Sequence, residues 1–258
     1  MIFNNHLFLL LFVFILGLCL GSFANVLIFR IPKNLSIIKP GSTCPSCKNT
    51  IKWFHNIPVI SYILLKGKCG YCGTKISLQY PLIEIFTAFS FLLIFIKSNT
   101  ITEFLFISVF VYILIVISVI DYYYFIIPDF FSISLIPLGI LFSIFNKTFE
   151  DSIMVQISNS VLGAVFGFLL LILISFVGKI IFKKEAMGLG DTKLMSGIGA
   201  FLGVKGVILT LFLGSLSATM TSIVLIYIMK TKKWNDYIPF GPFLSLGSFL
   251  TVFLCYLL

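Results

Sequence analysis

The 258 residues are 59% hydrophobic and only 10% charged, with a mean hydropathy of +1.14 and a formal net charge of +9. Soluble domains run at about 45 to 50% apolar and about 25% charged. The balance excludes an ordinary soluble protein and implies an all-α polytopic membrane protein. Met1 to His6 lack the basic flank of a cleaved signal, so the first apolar run is expected to stay as a span.

About 20 apolar residues cross a bilayer, and the first stretch of that kind runs from Leu7 to Phe29. Gly21-Ser22-Phe23-Ala24-Asn25-Val26 gives its end small and polar residues suited to tight helix packing, and Arg30-Ile31-Pro32 stops it. Between Arg30 and Tyr80 there are eight basic residues and no acid. Such a stretch can serve nucleic acid. In a chain this apolar it is read instead as a cytoplasmic loop under the positive-inside rule, with no nucleic-acid partner.

Residues 33 to 79 form the one long polar stretch and carry Cys44-Pro45-Ser46-Cys47 and Cys69-Gly70-Tyr71-Cys72. The pairs are separated by 21 residues, close to the zinc-ribbon spacing. Each pair turns two thiolates toward one point, and two such turns complete a closed tetrahedron for a structural zinc. Two disulfides or four free thiols are the other readings; a reducing cytoplasm disfavours the first. Cys19 and Cys255 lie inside apolar runs and are expected to pack as small hydrophobes.

The second span, Tyr80 to Ile96, begins with Pro81 and carries Glu84 one turn in, where a capping role and a functional one are equally open. The third, Phe104 to Ile120, delivers Asp121, followed by an interfacial cluster of Tyr122, Tyr123 and Tyr124. The fourth runs from Phe130 to Phe145 and leads to Lys147, Glu150 and Asp151. The fifth, Gln156 to Phe182, has Gly163 and Gly167 in a small-xxx-small pattern. A short sixth span, Leu194 to Leu202, is broken by Gly197, Gly199 and Gly203 and turns at Gly203 to Gly206, which leaves a re-entrant segment or one packed entirely inside the bundle as further readings. A seventh covers Val207 to Met229, and an eighth, Ile238 to Leu258, opens with Pro239-Phe240-Gly241-Pro242. The expected architecture is about eight transmembrane helices with a small zinc-ribbon-like cytoplasmic loop after the first. Its parts are the first helix (1–29), the loop domain (30–79) and a helical core (80–258).

With the 30 to 80 loop inside, alternation of eight spans places both termini outside. The Asp121 to Asp129 and Lys183 to Asp191 segments then fall on the cytoplasmic side, which holds 14 of the 18 basic residues. Asp121 and Asp191 thus reach one membrane face. A carboxylate at a membrane boundary is costly unless paired, which marks it as a functional candidate, and two of them can share a proton and activate a water. Gly188 and Gly190 of Met187-Gly188-Leu189-Gly190-Asp191 offer positive φ and close approach to an extended substrate. Asp129 is the reserve candidate, although its place after Pro128 equally suits it to start a helix. A proton-coupled transporter using the two aspartates, or a membrane scaffold with a zinc loop, are the competing readings.

Several motifs together resemble the type IV prepilin peptidase family of bacterial membrane aspartic proteases. They are Gly21-Ser22-Phe23-x-Asn25-Val26, the two cysteine pairs, Trp53-Phe54-x-Asn56-Ile57-Pro58-Val59-Ile60-Ser61-Tyr62 and Ile76-Ser77-x-x-Tyr80-Pro81-Leu82-x-Glu84. They continue through Ile120-Asp121, Ile127-Pro128-Asp129, Met187-Gly188-x-Gly190-Asp191-x-Lys193-Leu194 and Ile238-Pro239-Phe240-Gly241-Pro242-Phe243. The one departure is Gln79, where a basic residue is expected. The resemblance implies cleavage of the short basic leader of prepilins or pseudopilins at the cytoplasmic face of the bacterial membrane, typically after a glycine. It also implies N-methylation of the new N-terminus with S-adenosylmethionine. By position, Asp121 and Asp191 take the catalytic roles and Cys44, Cys47, Cys69 and Cys72 the zinc. No glycine-rich nucleotide fingerprint marks where the methyl donor binds.

Overall fold

The computed structural model describes residues 2–145, 152–183, 187–229 and 237–255. Lys147, Glu150, Asp151, Lys184, Lys230, Lys232 and Lys233, which enter the orientation argument, lie outside the described residues. The described residues are helical, with no β-strand and only two isolated bridges. The helices are α1 (Ile2–Arg30), α2 (Ile60–Leu64), α3 (Gln79–Lys97), α4 (Ile101–Tyr124), α5 (Asp129–Phe145), α6 (Ile153–Phe182), α7 (Leu189–Ile223) and α8 (Gly241–Cys255). The chain divides into two units, Met1–Ser98 and Asn99–Leu258.

Among the described residues, five helical stretches are long and apolar enough to cross a membrane: Leu7–Lys33, Gln79–Lys97, Ile101–Tyr124, Ile153–Ile181 and Leu189–Ile228. The expected number was about eight. The described parts of α5 and α8, 17 and 15 residues long, are shorter than the length of about 20 residues that spans hydrocarbon comfortably, and the residues that follow each lie outside the described ones. The sixth and seventh expected spans form one kinked helix. Gly197 and Gly199 do not break it. The break is at Gly203, whose φ of 67° and ψ of −176° lie in a region essentially reserved for glycine.

In the first unit α1 packs against α3 through its small residues. Gly21 faces Glu84, and the buried Asn25 amide donates to the Tyr80 carbonyl at 3.2 Å. The polar sequence between these helices has too little apolar content for a core of its own and closes into two matching turns instead. Cys44 N–H donates to Asn49 O and Lys48 N–H to Cys44 O; Cys69 N–H donates to Thr74 O and Gly73 N–H to Cys69 O. Lys48 and Gly73, each four residues past the first cysteine of its pair, have φ of 61° and 70°.

In the second unit α7 runs through the centre, with every residue from Leu194 to Gly203 buried. Phe201 stacks on Phe110 of α4 at 4.5 Å and on Phe142 of α5 at 5.6 Å. The small-xxx-small face of α6 meets α7 as its pattern predicts, and Ser160 Oγ donates to the Ala200 carbonyl at 2.6 Å. A Cβ on Gly163 would run into the Gly199 carbonyl oxygen and lie 2.7 Å from the Gly203 Cα. Both obstacles are backbone and cannot swing away. Gly163→Leu is therefore expected to cost at least about 1 to 3 kcal/mol through overpacking, read as a lower unfolding midpoint in detergent. A midpoint equal to wild type would show that the two helices do not pack this closely.

Candidate active site and metal centre

Asp121 lies in the last turn of α4, four residues beyond the buried Ile117 and directly after the buried Ile120, so its side chain continues the inward face. The helix runs on to Tyr124, further than the apolar run suggests, and ends where Phe125 takes a left-handed conformation and donates to the Asp121 carbonyl at 2.9 Å. The carboxylate is 6% exposed. Its Oδ2 accepts the Gly241 N–H at 2.9 Å, a buried charge-assisted bond from the start of α8. A Cβ at position 241 would lie 2.7 Å from that same oxygen, so the close approach requires glycine. The sequence showed Gly241 only as part of a motif; its partner, 120 residues away, appears only in the fold.

Asp191 is the third residue of α7 and half-buried. Its Oδ2 accepts the Gly188 N–H at 3.2 Å, capping the helix. Its Oδ1 is buried without a hydrogen-bond partner among the described residues. Two helices thus bring Asp121 and Asp191 near enough for their charges to interact. The glycines are used differently from expectation. Gly188 is extended, with φ of −78° and ψ of 154°, and Gly190 is helical; neither needs positive φ. A Cβ on Gly188 would meet ordinary contact, with Asp191 Oδ2 at 3.6 Å, whereas a Cβ on Gly190 would press on the Ile127 side chain at 3.0 Å.

Asp129 does not join the pair. It is the first residue of α5, is exposed, and accepts a hydrogen bond from Lys193 Nζ at 2.7 Å. That ion pair ties the start of α5 to the start of α7 two residues from Asp191. Glu84 is resolved as a brace: it is 6% exposed and accepts the Val59 N–H at 2.7 Å.

The four paired cysteines converge. Their Sγ atoms all lie within 4.8 Å of one another, and Cys44 and Cys72 are 3.9 Å apart. A tetrahedron with zinc–sulfur bonds of about 2.3 Å has edges of about 3.8 Å, so the donor set fits a four-thiolate ion. The Thr74 hydroxyl and amide pull the Cys72 thiol down to about 6, and the Cys47 and Ser46 amides lower Cys44. The Asn49 amide also favours the Cys47 thiolate, but burial and the neighbouring cysteines raise that thiol to about 11. Four thiolates at this spacing need a cation between them.

Among the described residues, the hollow of the first unit gives the methyl donor no such fit. It has a volume of about 390 Å³ and is lined by Ser22, Phe23, Arg30, Ile38, Asn56 and Pro58 among others. None of its lining residues is a carboxylate that would pair with a sulfonium or a ribose diol, and its one cation, Arg30, is bonded to the carbonyls of Ser36, Pro40 and Gly41.

Comparison with known proteins agrees with this geometry. Residues 15–98 match the bacterial peptidase A24 N-terminal domain, and residues 108–230 match the type IV leader peptidase family. A prepilin leader peptidase/N-methyltransferase of Neisseria gonorrhoeae is 34% identical over 260 residues, covering 92% of this chain and 87% of its own. One of Myxococcus xanthus is 33% identical over 83% of this chain, which spans 62% of that protein's length. A type 4 prepilin-like proteins leader peptide-processing enzyme of Escherichia coli is 32% identical over 92% of this chain and 91% of its own. No solved structure matches. With two family regions covering most of its residues and full-length relatives at this identity, the chain belongs to the type IV leader peptidase family.

Proposed function

We propose that this protein is a membrane aspartic endopeptidase that cleaves the leader of prepilin-like proteins at the cytoplasmic face, with Asp121 and Asp191 as its catalytic pair. The reading is supported by two carboxylates, from α4 and α7, close enough for their charges to interact, in a chain that belongs to a peptidase family. One proton is shared between them. The ionised partner draws a proton from water as the oxygen attacks the scissile carbonyl, and the protonated partner donates to the developing oxyanion. The Gly241 amide holds Asp121 in place, and the unpaired Oδ1 of Asp191 is the atom that takes up the shared proton. Gly188 and Gly190 form the active-site loop beside the pair, where an extended substrate backbone would lie.

The relatives' names add N-methyltransferase activity. Methylation of the new N-terminus with S-adenosylmethionine comes to this chain as part of the same proposal, and no methyl-transfer step is assigned to residues. Cys44, Cys47, Cys69 and Cys72 would hold a zinc ion that supplies folding free energy to the loop.

Cleavage of a prepilin-derived peptide by the purified protein tests the reading. A new fragment beginning directly after the leader glycine is expected, and Asp129→Asn should retain most of that activity, since its partly exposed ion pair contributes only about 0 to 1 kcal/mol. A protein that cleaves nothing but carries protons across a vesicle membrane would be the transporter instead. Labelling of single cysteines tests the orientation: residues 33 to 79 should react from the cytoplasmic side.

A further inference from the structure

We propose that α2 is an interfacial membrane anchor, its apolar face seated among lipid chains at the bilayer boundary and its flanking lysines holding anionic headgroups. α1 and α3 are both apolar enough to span, so residues 31–78 leave and re-enter the bilayer at one face. Within that stretch the Val59 N–H donates to Glu84 Oε2 at 2.7 Å. Glu84 lies five residues past the start of α3 at Gln79, which at a rise of about 1.5 Å per residue is about 7.5 Å along the span. The start of α2 is therefore held at the depth of α3's own exposed apolar residues Leu82 and Phe86.

At that depth α2 turns Ile60, Ile63 and Leu64 outward, 54, 66 and 75% exposed, while Ser61 is buried and bonds Ile57 O. The spacing i, i+3, i+4 makes the three one face. Five residues are too few to hold a helix by propensity, and the entry is strained: Val59, β-branched, has φ of 59° and ψ of −48°. The Glu84 bond offsets that strain and fixes the angle at which the helix lies.

Charge selects the occupant. Lys52, Lys66 and Lys68 flank α2, all exposed, and no acid occurs from Arg30 to Tyr80. A basic leader peptide or a second copy of this loop would bring like charge. An anionic lipid surface is complementary, with lysine stems lying along the acyl chains and their ammonium groups at the phosphates.

The inference is independent of the catalytic reading, and its test uses no activity. Leu64→Trp is made in full-length protein carrying Trp53→Phe and Trp234→Phe, and reconstituted in vesicles of phosphatidylcholine and phosphatidylglycerol. The introduced indole should emit at short wavelength and lose most of its fluorescence to lipids brominated near the glycerol end of the chain. Loss should be smaller with bromine at the chain terminus, and larger when the bromine is carried by phosphatidylglycerol than by phosphatidylcholine, a difference that Lys66→Gln with Lys68→Gln should abolish. Quenching by aqueous iodide in place of bromolipid would overturn the proposal, as would protection from both, which would mean a protein partner. Equal quenching by the two lipids would overturn the anionic half. Ile63→Trp in the same background carries the same test if the first variant does not accumulate.

Discussion

Asp121→Asn and Asp191→Asn are each expected to lower cleavage of a prepilin-derived peptide by on the order of 10³-fold or more while the protein still accumulates in membranes. An asparagine neither takes a proton from water nor gives one to an oxyanion, so either change removes a role the other carboxylate cannot fill alone. The double variant should be little worse than either single one, because the two act as a unit. Gly241→Ala should fall between these and wild type: it keeps the amide but places a Cβ 2.7 Å from Asp121 Oδ2. In wild type the two carboxylates titrate as a coupled pair, so the pH profile should show two apparent pKa values that belong to the pair. A single variant that cleaves at the wild-type rate would remove its aspartate from the mechanism, and an inactive Asp129→Asn would move Asp129 into it.

Loss of the metal should have the second largest effect, and on the loop more than on the peptidase pair. Protein purified without chelator is expected to contain about one zinc per chain by elemental analysis, since four thiolates leave no open position. Structural zinc in small domains contributes apparent binding free energies of about 10 to 16 kcal/mol, and the loop here has two hydrogen-bonded turns and little apolar burial to replace it. Cys44→Ser or Cys72→Ser should release the ion and loosen the backbone around the loop's exposed lysines so that trypsin cuts there, while the helices of the second unit keep their unfolding midpoint. Metal-free wild type with a trypsin-resistant loop would show that the four cysteines are structural thiols.

Patterns local in the chain were readable directly. Apolar runs of span length gave α1, α3, α4 and α6, because a helix in lipid is specified by composition along one stretch. The two Cys-x-x-Cys pairs predicted a four-cysteine cluster, because short turns bring the thiols together. The span count was less legible, since length alone does not show that a helix bends at Gly203 and continues as one.

The sequence by itself determined a helical membrane protein, a four-cysteine loop and a short set of carboxylates worth pairing, because composition, periodicity and short-range spacing are properties of neighbouring residues. Which groups each carboxylate meets was decided by the tertiary structure. Asp121 meets the Gly241 amide, 120 residues on, only through the packing of α4 and α8, while Asp129, eight residues from Asp121, turns to Lys193 at the start of α7. The same holds for Glu84, whose partner is a backbone amide 25 residues earlier. A buried charge takes whatever donor the fold brings near, and no local pattern in the chain encodes that donor.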